Sequence, residues 1–185
     1  MDLTDNMLHW DWLNLSTHLL WCYDDRVLDS THSETAETLS NNGAWLVLEG
    51  RARVEHDGQH YEASPGEWLI VKPTKRLQSF APGTQLLSLA FSARWPDGAH
   101  WLSEGLSVVL NADSHPALER KAIPLVRAAN RIAPASWNLL QHRMDYREHL
   151  RLESLLASWL SALVTALKAN GITPVNRAGI DPRAM

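Results

Sequence analysis

The chain has 185 residues, enough for one large domain or for one domain with an appendage, and 45% of them are apolar. Lys and Arg number 17 against 21 Asp and Glu, a formal net charge of −4, which excludes a broad basic face for phosphate backbones or anionic lipid. One cysteine, Cys22, excludes an intrachain disulfide and suits a reducing cytoplasm.

The N-terminus, Met1-Asp2-Leu3-Thr4-Asp5, is acidic and lacks the basic and apolar regions of a secretory leader. No uninterrupted run approaches the roughly 18 apolar residues of a membrane span. The expectation is a cytoplasmic protein with no membrane contact. Nine Trp outnumber Phe and Tyr together and are spread along the chain.

Leu8, Trp10, Trp12, Leu13 and Leu15 suggest short strands or an arm, and His18 to Tyr23 reads as a strand. Residues 29–42 are rich in Ser, Thr and Asn and read as loop or edge structure. From Gly43 the pattern sharpens. Ala44 to Leu48 is an apolar run, and Arg51 to His56 alternates before Asp57-Gly58, a hairpin signal. That turn pairs His56 with Gln59 and Val54 with Tyr61. One face then carries Ala52, Val54, Tyr61 and Ala63, and the other Arg51, Arg53, Glu55, His60 and Glu62. Further short strands follow at Trp68 to Val71, Leu77 to Phe80 and Thr84 to Phe91, separated by Gly and Pro. Strands this short between turns this frequent indicate a β-sandwich or barrel.

After residue 113 the period becomes helical. Ser114 reads as a cap for a helix starting near Pro116, which Pro124 should kink or divide and Pro134 should end. A second helical segment runs from Ser136 to Asn170. In its stronger part Leu152, Leu155, Leu156, Trp159, Leu160, Leu163, Val164 and Leu167 recur at helical spacing. These positions spread over about 180° of the helix surface, whereas one core contact needs about 100°. Two arrangements satisfy the excess: one edge on the strands and the other on a partner helix, or both edges inside one monomer. We take the first as the expectation.

No enzyme motif is present. His56 and His60 flank the hairpin turn on opposite faces, and His142 and His149 lie two turns apart, about 10 Å. There is no Gly-x-Ser-x-Gly and no Gly-rich phosphate loop. Trp45 and Trp68 are candidate lumen-lining rings, with a core role as the alternative. Lys75, Arg76 and Gln78 are candidate polar contacts for a pocket.

Trp45-Leu46-Val47-Leu48-Glu49-Gly50, the hairpin from Arg51, and Ser64-Pro65-Gly66-Glu67-Trp68 through Pro73 together resemble the two sequence blocks of a cupin barrel. The order of strands then helices resembles the N-terminal sensor and dimerisation domain of AraC-family transcription regulators. Arg177 to Met185 is similar to the lead-in to that family's helix-turn-helix domain. The likeness spans most of the chain, best over 43–91 and 147–185.

The resemblance implies an α+β fold, with an antiparallel jelly-roll barrel and arm over 1–113, helices for dimerisation over 114–171, and a linker over 172–185. It places the metal ligands of metal-using cupins at Gly43, near Glu37 to Leu39, and at Arg76 to Gln78, where none of the required His or Glu stands. It therefore implies a metal-free, cofactor-free, non-catalytic barrel holding a sugar or an aromatic acid against Trp45, Val47, Trp68, Arg76 and Gln78. It also implies a homodimer through Leu152, Leu156, Trp159, Leu160, Leu163, Val164 and Leu167, with DNA contacted only by a further C-terminal domain. The alternatives are a cupin enzyme, such as a sugar isomerase, epimerase or metal-dependent dioxygenase, and a plain binding or scaffold protein.

Overall fold

The computed structural model describes residues 7–27, 33–36 (backbone), 41–134 and 139–177. The opening Met1 to Asp5, Ser136, and the tail residues 178–185 lie outside them, as does most of the Ser/Thr/Asn-rich stretch. Two antiparallel sheets form the first part of the chain. The larger has the order β1-β8-β3-β6-β9, built from Ser16–Arg26 (β1), Asn42–Glu49 (β3), Glu67–Val71 (β6), Gln85–Arg94 (β8) and Val108–Asn111 (β9). The smaller has the order β2-β7-β4-β5, from Ser33–Ala36 (β2), Ala52–His56 (β4), Gln59–Ala63 (β5) and Arg76–Phe80 (β7). Among the described residues no strand pairing joins the two sheets. The α+β class stands, therefore, with two separate sheets in place of a closed barrel.

The hairpin register is the one the Asp57-Gly58 turn dictates, with Val54 opposite Tyr61 and His56 opposite Gln59. Asp57 and Gly58 have φ of 53° and 73°, the left-handed pair that a two-residue turn matching strand twist requires. Ala52, Val54 and Ala63 are buried, while Arg51, Arg53, His60 and Glu62 are exposed.

The larger sheet is buried on both faces. On one, Trp45, Val47, Leu69, Val71 and Leu86 meet Ala52, Val54, Ala63 and Phe80 of the smaller sheet. On the other, Cys22, Ala44, Leu46, Trp68, Ile70, Leu89 and Phe91 meet the helices. Double burial explains why β3, β6 and β8 read as apolar runs, whereas the hairpin alternates.

Helix α2 (Pro116–Ile132) starts with Pro at its first turn, but its N-cap is His115, with no capping side chain, and not Ser114. It continues through Pro124, which neither divides nor ends it. Helix α3 (Tyr146–Ala169) begins at a capping box. Asp145 Oδ1 accepts the amides of Arg147 and Glu148 at 2.8 Å each, and Glu148 Oε2 accepts the Asp145 amide at 2.9 Å. A single helical turn, α1 (His9–Trp12), precedes β1.

The wide apolar arc of α3 is accounted for inside one chain. Leu152, Leu156, Trp159, Leu160, Leu163 and Leu167 are all buried in the core shared with α2 and the large sheet, and Val164 packs at its edge. This corrects the expectation that one edge faces a partner helix: α2 covers that edge. By length and composition α3 would suffice to cross a membrane, but here its apolar residues are the core of the helical layer.

Candidate functional site

Four of the five expected ligand contacts meet between the sheets. Trp45 and Val47 project from β3 into the inter-sheet layer, while Arg76 and Gln78 stand two apart on β7, which shares a face. The Arg76 guanidinium carbon lies 5.9 Å from the centre of the Trp45 ring. Its Nε donates to Gln78 Oε1 at 3.4 Å, and its Nη1 donates to the Lys72 carbonyl at 3.2 Å. Phe80 closes the other edge of Trp45, with ring centres 5.2 Å apart. Lys75 is exposed and takes no part.

Trp68 is not at this site. In the β3–β6 register Leu69 faces Trp45 and Trp68 faces Leu46, so the two indoles point to opposite sides of one sheet. Trp68 is fully buried against Trp159, with ring centres 6.3 Å apart. It is a core residue of the helical layer.

Arg76 is only 3% exposed, and burial lowers its guanidinium from the ordinary arginine range to about 10. It remains charged at neutral pH. Its guanidinium lies over an aromatic face in the inter-sheet layer.

A polar chain leads away from it. The Lys72 amide donates to Ser107 Oγ at 3.2 Å, Ser107 Oγ contacts His56 Nε2 at 2.9 Å, and His56 Nδ1 contacts Asp57 Oδ2 at 3.2 Å. Sequence reasoning missed this link, because Ser107 precedes β9, a four-residue strand with no signal of its own. The Ser–His–Asp order matches a hydrolase triad only in its connectivity. Ser107 is 5% exposed, and its oxygen already accepts an amide, so a substrate carbonyl has no approach. The bonds tie the β4–β5 hairpin to β9 and to the turn after β6.

Two clefts open on the helical side, and Trp45, Arg76 and Gln78 line neither. One, of about 340 Å³, lies between the start of α2 and α3, at His115, Lys121, Ser161 and Thr165. The other, of about 280 Å³, is lined by His18, His142, His149 and Glu153 with Leu19 and Met144. Among the described residues no group of three or more His, Cys, Asp or Glu is arranged to hold a metal ion.

No family model matches the chain, and no curated protein sequence matches it. Several solved structures resemble it, three of them as follows. The AraC-like transcriptional activator CuxR is 15% identical over 92% of this chain and 57% of its own, at a TM-score of 0.38. ToxT from Vibrio cholerae is 11% identical over 91% of this chain and 61% of its own, at 0.40. YhaK from Escherichia coli is 16% identical over 52% of this chain and 40% of its own, at 0.34. The chain thus spans between 40% and 61% of the length of these structures. The functional reading rests on the site itself.

Proposed function

We propose that this chain is the ligand-sensing and dimerisation domain of an AraC-like transcription regulator, with a cupin-like sandwich that holds a small organic molecule at Trp45, Val47, Arg76 and Gln78. The observation that carries the reading is the convergence of a buried cation, an amide and an indole on one inter-sheet corner. A few directed polar groups in an apolar surround are what a small-molecule site needs. The domain acts without catalysis and without a metal, and DNA is reached through a further domain of the regulator.

A ligand shifts a conformational equilibrium only by its difference in affinity for the two states. Here the difference arises at Arg76. A ligand that draws the guanidinium away from the Lys72 carbonyl loosens the chain of bonds through Ser107 to His56, and so the joint between the two sheets. Dimerisation then uses side chains other than the buried stripe of α3. We assign that contact to Tyr146 and Leu150 at the start of α3, which are 68% and 61% exposed.

The test is a thermal-shift screen of the full chain against sugars and aromatic acids, repeated on Trp45→Leu, with sedimentation velocity on each hit. Ligands that raise the melting temperature of the parent but not of the variant, and that change the sedimenting species, support the reading. A hit indifferent to Trp45→Leu places the ligand elsewhere and sinks it.

A further inference from the structure

The cleft between the first turns of α2 and the last turns of α3 has a volume of about 340 Å³, within the roughly 300–1,000 Å³ that ligand pockets span. It shares no residue with the inter-sheet corner of Trp45, Val47, Arg76 and Gln78. Its charged walls are of one sign. Arg120 and Lys121, consecutive on α2, both line it, and no carboxylate does. Asp113 and Glu119, the acids nearest in sequence, stand outside its lining. In a chain of net charge −4, two cations without an acid are a local departure.

The hydrogen bonds around the cleft leave donors for a ligand. Lys121 is half-buried, and its Nζ donates to the Ser158 hydroxyl at 2.7 Å. An ammonium has three donors, so two remain. Asn170 Nδ2 donates to the Ala166 carbonyl at 2.9 Å and meets His115 Nε2 at 3.2 Å. Nε2 is then the acceptor, which makes Nδ1 the donor nitrogen of His115. Thr165 commits its hydroxyl to the Ser161 carbonyl at 2.9 Å, and the hydroxyls of Ser114 and Ser161 complete the polar walls. Between them the surface is small and apolar, with Ala162 and Ala166 buried.

We infer that this cleft binds the phosphate monoester of a small hydroxylated molecule, its phosphate held by Arg120 and Lys121 and its body lying toward Ser114 and Ser161. A guanidinium fork grips phosphate oxygens by two parallel bonds, and an ammonium beside it acts as a point charge. A single carboxylate would balance one of the two cations, and a neutral polyol neither. A lone phosphate would leave most of the volume to water. The inference stands apart from the sensor reading, because the two sites have no residue in common.

The experiment is calorimetric titration of the full chain with glycerol 3-phosphate and ribose 5-phosphate, beside inorganic phosphate, glycerol and ribose. The esters are expected to bind, inorganic phosphate to bind about tenfold more weakly, and the neutral probes to fail. Arg120→Gln and Lys121→Met should each weaken the esters by about tenfold, the loss of a charge-assisted bond. Arg120 is exposed, so its variant reports on binding even where Lys121→Met disturbs the helix pair. Arg127→Gln removes an equal charge from α2 outside the cleft and should change nothing, as should Trp45→Leu. Hydrogen exchange should slow with either ester in the peptides over 114–121 and 158–166.

Equal binding of glycerol or ribose overturns the inference, as does failure of both esters. Inorganic phosphate as tight as the esters would mark an adventitious ion only. Ester binding that Arg120→Gln leaves unchanged, or that slows exchange elsewhere, sinks the cleft. Loss of ester binding in Trp45→Leu would put the ester at the inter-sheet corner, overturning this site and leaving the sensor reading in place. Vesicles of phosphatidylcholine with and without phosphatidic acid present the same phosphate on a lipid. Cosedimentation with the acidic vesicles, without binding of the soluble esters, would assign the cleft to a membrane surface and overturn the small ligand.

Discussion

Arg76 and Trp45 stand on different sheets, β7 and β3, yet the guanidinium of one lies over the ring of the other at 5.9 Å. The contact joins two sheets that share no strand pairing among the described residues, and it does so with a charge. Burial lowers the guanidinium from the ordinary arginine range to about 10, so desolvation of the charge opposes folding at neutral pH. The sign follows from proton counts. Above about pH 10 the folded chain gives up a proton that the unfolded chain still holds, so Arg76's contribution to stability rises with pH there. At neutral pH it opposes folding. Arg76→Met, which keeps a long apolar stem, should therefore raise the melting temperature of the ligand-free chain by about 2–5 °C after the lost ring contact is allowed for. Differential scanning calorimetry decides it. A lower melting temperature would mean that the cation is a structural strut.

How much of this is legible in the sequence depends on the range of the signal. The β4–β5 register is readable because Asp57-Gly58 admits one turn geometry, and that turn fixes every cross-strand pair as far as Ala52 and Ala63. That Trp45 and Val47 share one face of β3 is readable from strand alternation. Trp68 is not, since its face depends on pairing with β3, a strand some twenty residues distant, and a shift of one residue reverses it. The α3 arc is as wide as its spacing indicates, but its cover is α2 and not a partner, because periodicity shows how wide an apolar face is and not what lies on it. Strand β9, four residues long, and the Ser107–His56 link formed across 51 residues leave no local trace.

The covering of α3 by α2 makes a sharp expectation for Leu163. It is fully buried, so Leu163→Ala should cost about 2–5 kcal/mol, and Leu163→Asp should unfold the chain and not yield a soluble monomer. Thr165, two residues on, is exposed, and Thr165→Asp should leave stability within about 0.5 kcal/mol of the parent. Urea denaturation followed by circular dichroism gives both numbers. A folded, monomeric Leu163→Asp would restore the partner reading.

Cys22 lies 2% exposed in the layer between the large sheet and the helices. Burial, and then the nearby Asp24 charge, push its thiol well above the ordinary range. The thiolate is the reactive form, so the native chain should react with Ellman's reagent only as fast as it opens, whereas the urea-unfolded chain should react at once. Stoichiometric labelling of the native chain within seconds at neutral pH would show that this layer opens readily.

His100 is pushed the other way. Burial, then the Arg94 charge, lower its pKa below the usual 6.5, and its Nδ1 has no hydrogen-bond partner. As pH falls below 6.5 the unfolded chain takes up a proton that the folded chain resists, so His100's contribution to stability is lost on acidification. His100→Gln should flatten the fall in urea midpoint between pH 7.5 and pH 5. An unaltered slope would assign the acid sensitivity to other groups.

The end of the described chain is held by tryptophan. Trp95 Nε1 donates to the Val175 carbonyl at 2.7 Å, and the Val175 amide donates to the Trp101 carbonyl at 2.8 Å. Trp12 of α1 packs against the same pair, tilted to Trp95 with ring centres 6.0 Å apart and edge-on to Trp101 at 6.2 Å. One cluster therefore joins the first helical turn, the exit of β8 and the segment after α3. Gly105 lets that segment approach: at φ +73° it suits glycine, and a Cβ there would meet Ile172 at 3.0 Å. Trp95→Phe keeps the ring packing and removes one donor. It should raise the exchange rate of the Val175 amide by about tenfold, the effect of losing ~1.4 kcal/mol of local protection, while the amides of β3 and β8 keep theirs. Gly105→Ala should loosen the same segment from its other side. Hydrogen exchange resolved by mass spectrometry on the 172–177 peptide separates the two regions. Equal loss of protection in β3 would mean that the cluster stabilises the whole fold, and no loss at Val175 would mean that the segment is anchored by something other than Trp95.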